Sequence, residues 1–111
     1  MNVADLFNNQ NDARVVRFDV TPGVGVSALV LQRGKLWRMF IPTEAWLVLR
    51  EQAGGERLTD AAVFINAKFL LSDRLRGWDF ERDGKIEVTT QRMRSWFGLD
   101  LPEPAVQSFK G

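Results

Sequence analysis

The apolar residues of this chain change their period once, at Pro42, and no all-α or all-β fold accommodates both halves. Upstream, Val16, Phe18 and Val20 alternate with Arg17 and Asp19, the pattern of a strand with one covered face. Thr21-Pro22-Gly23 interrupts it. Two β-rich runs, residues 24–32 and 35–41, flank Arg33-Gly34 and read as a hairpin with a tight turn. On the second run Trp37, Met39 and Ile41 share one face, and Leu36, Arg38 and Phe40 the other. A strand apolar on both sides is expected to be covered on both.

Downstream the spacing is helical. Thr43 is placed to cap a helix that runs to about Ala53, with Glu44 near its positive end and Gly54-Gly55 after it. Its buried face is expected to hold Ala45, Trp46, Leu49 and Ala53. A longer helix should open at Thr59 or Asp60 and run to about Arg76, ending at Gly77. At about 100° per residue it carries two apolar stripes. Phe64, Ala67, Leu71 and Leu75 form one, and Ala62, Ile65 and Phe69 form the other on the opposite side, with Val63 and Leu70 on one flank. The expectation is a central helix held between the hairpin sheet and a C-terminal helix; the alternative is that the second stripe is offered to a partner. Asp83-Gly84 signals a turn, expected to close a short hairpin. Thr89 or Thr90 then caps a short helix to Phe97 that turns Met93, Trp96 and Phe97 inward, and Val106 and Phe109 suit a last helical turn after Pro102 and Pro104. The fold class is therefore α+β: an N-terminal antiparallel hairpin or small sheet packed on three to four C-terminal helices. Residues 1–111 form one domain, β-rich over 14–41 and helix-rich over 43–110.

Absent residue types narrow the chemistry. There is no His, Cys or Tyr, so thiolate nucleophiles, disulfides, zinc sites and Ser-His-Asp triads have no parts to be built from. Asp79, Glu81 and Asp83 before Gly84 resemble the start of a calcium loop, but the twelfth position, where a bidentate carboxylate is needed, is Thr90. A solvated turn is the better reading. Lys68 and Ser72, one helical turn apart, sit mid-helix, where no donors await an oxyanion. The chain is expected to have no catalytic residues, metal or cofactor. Lys and Arg total 15 against 14 Asp and Glu, so the basic excess of a nucleic-acid binder is missing. Residues 20–43 are the exception, with Arg33, Lys35 and Arg38 and no acid. No secretory signal pattern opens the chain and no apolar run approaches the roughly 18 residues of a membrane span, so the expected setting is cytoplasmic, without membrane contact.

Arg74, Arg76, Trp78, Arg92, Arg94 and Trp96 are of the types that dominate binding hot spots, although Asp73, Asp79, Glu81, Asp83 and Glu87 stand close enough to pair with the arginines. From Leu58 the order is a helix apolar on two sides, then Arg76-Gly77-Trp78, an acidic turn ending in Asp83-Gly84, a helix opening Thr89-Thr90-Gln91, and Pro102. This half of the chain resembles the small tail assembly chaperones of long-tailed bacteriophages and prophages. The β-rich residues 15–41 depart from the mostly helical members. The resemblance implies a non-enzymatic protein that binds the tape measure protein or tail tube subunits and shields their apolar surfaces before the tube polymerises. The candidate partner-binding residues are Ala62, Ile65, Phe69, Arg74, Arg76, Trp78, Arg92 and Arg94. Two further readings stand beside it: an oligomeric structural or adaptor subunit that self-associates through Ala62, Ile65 and Phe69, and, less favoured, a nucleic-acid-binding regulator using Arg33, Lys35 and Arg38.

Overall fold

The computed structural model describes residues 12–99. Three strands, β1 (Arg14–Thr21), β2 (Gly25–Gln32) and β3 (Lys35–Pro42), form an antiparallel sheet in the order β1-β2-β3. Gln32 pairs with Lys35 around Arg33-Gly34, and both central residues have positive φ, 51° and 76°, as a two-residue turn matching the strand twist requires. Helices follow: α1 (Thr43–Gln52), a 3-10 turn (Gly55–Arg57), α2 (Asp60–Arg74), the single turn α3 (Phe80–Asp83) and α4 (Thr90–Trp96). This is the α+β arrangement that the change of period predicts.

One face of the sheet supports the core. Val15, Val26, Ala28, Val30, Met39 and Ile41 are buried against Ala45, Trp46 and Leu49 of α1 and Val63, Ala67 and Leu71 of α2. Phe18, Trp46 and Phe64 cluster with ring centroids 5.0 to 6.1 Å apart, joining β1, α1 and α2. Helix α2 packs chiefly on β1, whereas α4 packs on α1 and seals it with the fully buried Met93. Ser72 fastens α2 to the edge of the sheet: its hydroxyl donates to the Lys68 carbonyl at 2.6 Å and accepts from the Val15 amide at 2.9 Å.

Five expectations are corrected. In β1 the register slips between Val15, opposite Val30, and Arg17, opposite Leu29, so a bulge at Val16 puts Val15 rather than Val16 on the inner face with Phe18. Among the described residues the sheet is covered on one side only, because their helices lie on the inner face; Leu36 and Phe40 on the other side are 60% and 49% exposed. Pro42, not Thr43, is the N-cap of α1, and no side chain bonds there, because the last residue of β3 already leads into the helix. Among the described residues α2 is not sandwiched, since α4 lies against α1 and leaves the second stripe open. Finally, Asp83-Gly84 closes no hairpin. Asp79 caps α3 by accepting from the amides of Glu81 and Arg82, Gly84 ends it at φ 81°, and residues 85–89 run extended with Ile86 and Val88 turned into the core. The expected turn around Val106 and Phe109 lies outside the described residues.

Candidate functional site

The candidate site is built on α2. Thr59 caps it by accepting from the Ala62 amide, and Ala67, Leu71 and Leu75 on its inner side are fully buried. Because that stripe anchors the helix over its whole length, the opposite stripe is held rigid in water. Phe69 is 72% exposed, Ile65 50% and Leu58, just before the cap, 45%. Ala62, on the same side of the helix as Ile65, is half-buried. Leu58 is extended and lays its side chain over Gly54, so it is a separate exposed apolar residue and not a member of the helical stripe.

The other predicted site residues separate into two groups. Arg74 and Trp78 serve the fold. The Arg74 guanidinium binds Asp73 at 2.7 Å and lies 4.8 Å from the centre of the Phe97 ring, while Trp78 donates its indole N–H to the Gly84 carbonyl at 3.0 Å. Arg76, Arg92 and Arg94 are exposed. Arg76 stands at the end of α2 and pairs with Asp73 at 3.1 Å. Arg92 and Arg94 belong to α4, where Arg92 borders a shallow groove with Trp96 and Arg94 donates to the Leu99 carbonyl at 2.9 Å. No hydrogen bond or ion pair joins either to the α2 stripe among the described residues.

Arg33 and Lys35 of the basic run are paired by acids distant in sequence, whereas Arg38 has only a share of Asp19, which Arg17 also binds. Arg33 grips Asp79 with both guanidinium nitrogens, at 3.1 and 2.6 Å. Lys35 binds Glu81 at 3.0 Å and Arg38 binds Asp19 at 3.3 Å. The Arg33 side chain, helped by the Arg82 amide, holds the Asp79 carboxyl well below the usual carboxylate range. The Arg82 guanidinium lowers Asp83 in the same way. The three acids of the calcium-like segment are thus engaged by cations of the chain itself, and no group of three His, Cys, Asp or Glu suited to a metal occurs among the described residues. The Ser72 hydroxyl, committed to Val15 and Lys68, is structural.

An open groove of about 780 Å³ separates β3 from residues 85–90; Met39, Phe40, Ile86 and Val88 line it together with Arg38 and Glu87. Ser27, Lys85, Thr89 and Thr90 complete its polar lining. What the described surface offers is apolar area beside charged rims. No protein-family model, curated protein or solved structure matches the chain.

Proposed function

We propose that this chain is a non-enzymatic protein-binding module that docks another protein on the outer stripe of α2, in the manner of a tail assembly chaperone. The observation that carries the reading is the exposure of Phe69 and Ile65 on a helix whose opposite face is fully buried. Such a stripe suits an apolar helix or strand edge that is itself aggregation-prone until assembled. The resemblance of residues 58–111 supplies the partner: the tape measure protein or a tail tube subunit, bound in the cytoplasm of a bacterial host. Weak, reversible contact is what that task needs, and a single helix face is well below the roughly 1,200–2,000 Å² of a stable interface.

The test is co-expression with the tape measure protein and the tube subunit of the same phage or prophage, followed by measurement of their soluble fraction and of the complex. Wild-type chain keeps one of them soluble and bound. Replacing Phe69 by Ser removes the largest exposed side chain and weakens the complex roughly 10- to 100-fold, the ~1.5–3 kcal/mol of an aromatic side chain withdrawn from water. A complex that survives both Phe69→Ser and Ile65→Ser refutes the stripe as the binding face. The adaptor reading shares the stripe and differs in its partner: it requires sedimentation of the chain alone to show an oligomer that Phe69→Ser dissociates.

A further inference from the structure

The outer face of the sheet is a second surface, independent of α2. Its rows follow from the strand register: Arg14, Leu31 and Leu36 lie side by side, then Arg17, Leu29 and Arg38, then Asp19, Ser27 and Phe40. Leu29 and Leu31 are half-buried and Leu36 and Phe40 exposed, so four apolar side chains share a strip that no described helix covers and that residues 85–90 border at the Phe40 end. Gly25, in the next row between Thr21 and Pro42, leaves room for Phe40. A Cβ there would lie 2.7 Å from the Phe40 ring, so the ring rests over the glycine instead of standing off the sheet.

The charges on this face are unequal. One carboxylate, Asp19, is shared by Arg17 at 3.2 Å and Arg38 at 3.3 Å, and Arg14 adds a third guanidinium. A second copy would bring the same cationic excess against it, so stacking two of these faces is opposed. Dimensions point the same way. Three strands about 4.8 Å apart and eight residues long make a face roughly 10 Å wide and 26 Å long, of which the apolar rows from Leu36 to Phe40 take about 13 Å. One α-helix of about 18 residues spans that face, with its middle two to three turns over the apolar rows.

We infer that the outer sheet face, Leu29, Leu31, Leu36 and Phe40 rimmed by Arg14, Arg17 and Arg38, docks a single amphipathic helix of another protein whose apolar stripe is flanked by Glu or Asp. Such a helix supplies the missing second layer over a sheet that is apolar on both sides, and its carboxylates meet the guanidiniums that Asp19 does not satisfy. Aromatic stacking of nucleic-acid bases has only Phe40 to use on this face.

The experiment uses the full chain, isotope-labelled, and three probes: an 18-residue helical peptide with a Leu stripe flanked by Glu, its twin flanked by Lys, and vesicles of anionic phospholipid. The Glu peptide should shift the amide resonances of β2 and β3 while leaving α2 unmoved, and bind at least tenfold more tightly than the Lys peptide. Leu36→Ser and Arg38→Glu should each weaken it about tenfold, with far-UV circular dichroism unchanged. Equal binding of the two peptides, shifts confined to α2, binding to vesicles but not to the Glu peptide, or a dimer whose interface is this face would each overturn the inference. Phe69→Ser must leave the Glu peptide's affinity unchanged, which separates this result from the fate of the α2 reading.

Discussion

Gln32 ends β2 with a polar side chain that is only 2% exposed. It donates to the Trp78 carbonyl at 2.6 Å and accepts from the Phe80 amide at 2.8 Å, bridging the sheet to the segment between α2 and α3. Truncation to Ala strands two backbone groups, one of them fully enclosed beside Phe80, at roughly 1–3 kcal/mol each. Water can enter on the Trp78 side, which is half-buried, so the expected loss is about 2–4 kcal/mol, a large part of the ~5–15 kcal/mol that holds a domain together. Gln32→Leu separates polarity from volume: it refills most of the space and still leaves both groups unpaired, so it should cost nearly as much. Urea unfolding followed by tryptophan fluorescence measures both, with Trp37 and Trp78 close to the change. A loss under about 0.5 kcal/mol in Gln32→Ala, or full recovery in Gln32→Leu, refutes the bridging role and reduces Gln32 to a packing residue.

The two stripes of α2 should differ in stability. Leu71→Ala, at a fully buried position, is expected to cost about 2–5 kcal/mol, whereas Phe69→Ser should stay within about 0.5 kcal/mol of wild type in the same unfolding assay. Asp79, whose carboxyl is lowered by Arg33, stabilises the fold above the ordinary carboxylate range, and that contribution is lost as pH falls through the range toward its depressed value. Asp79→Asn should therefore be less stable at neutral pH and show a flatter loss of stability below about pH 4 than wild type, measured by urea unfolding across pH. Gly25→Ala would set a Cβ 2.6 Å from the Ile41 carbonyl at φ 152° and should cost more than about 2 kcal/mol. Gly34→Ala, at φ 76° with open space around it, should cost only about 1 kcal/mol in the same melt.

What the sequence made legible was what depends on local period. The three strands, the inward faces of α1 and α4, and the first stripe of α2 all follow from spacings of two or of three and four residues, which sheet and helix geometry impose directly. Three kinds of feature escaped. The bulge at Val16 did, because adjacent valines let either phase of β1 read as alternating. Asp83-Gly84 did, because a positive-φ glycine serves a hairpin turn and a helix C-cap equally well. The ion pairs of Arg33 and Lys35 with Asp79 and Glu81 did, because their partners lie 46 residues away, and a local charge count sees a basic run where the fold has neutralised one. For the candidate site, periodicity revealed that α2 had a second apolar stripe, but only the docking of α4 on α1 left it open. The Arg and Trp residues chosen by type were dispersed by the same packing, Arg74 and Trp78 inward and Arg92 and Arg94 onto a different helix.

The two open surfaces look away from one another, since α2 rests on the inner face of the sheet and turns its stripe outward while Leu36 and Phe40 point the opposite way. A molecule with apolar patches on opposite sides is at risk of open-ended stacking, because a patch that meets a different patch on the next copy does not close on itself. The charges work against this unevenly. On the sheet face a cationic excess repels a second copy and any other basic surface, so it selects for an acidic occupant. On α2 the stripe ends at Asp73, which Arg74 and Arg76 share, so its charge excess is a single cation at one end of the helix rather than a rim along it. Selection there rests on shape: Phe69 and Ile65 stand above the small side chain of Ala62, a profile that a helix with a complementary gap can fill. On the two proposals together, one surface would discriminate by sign and the other by packing, and a chain of this size would hold two unlike partners on one core without either competing for the other's place.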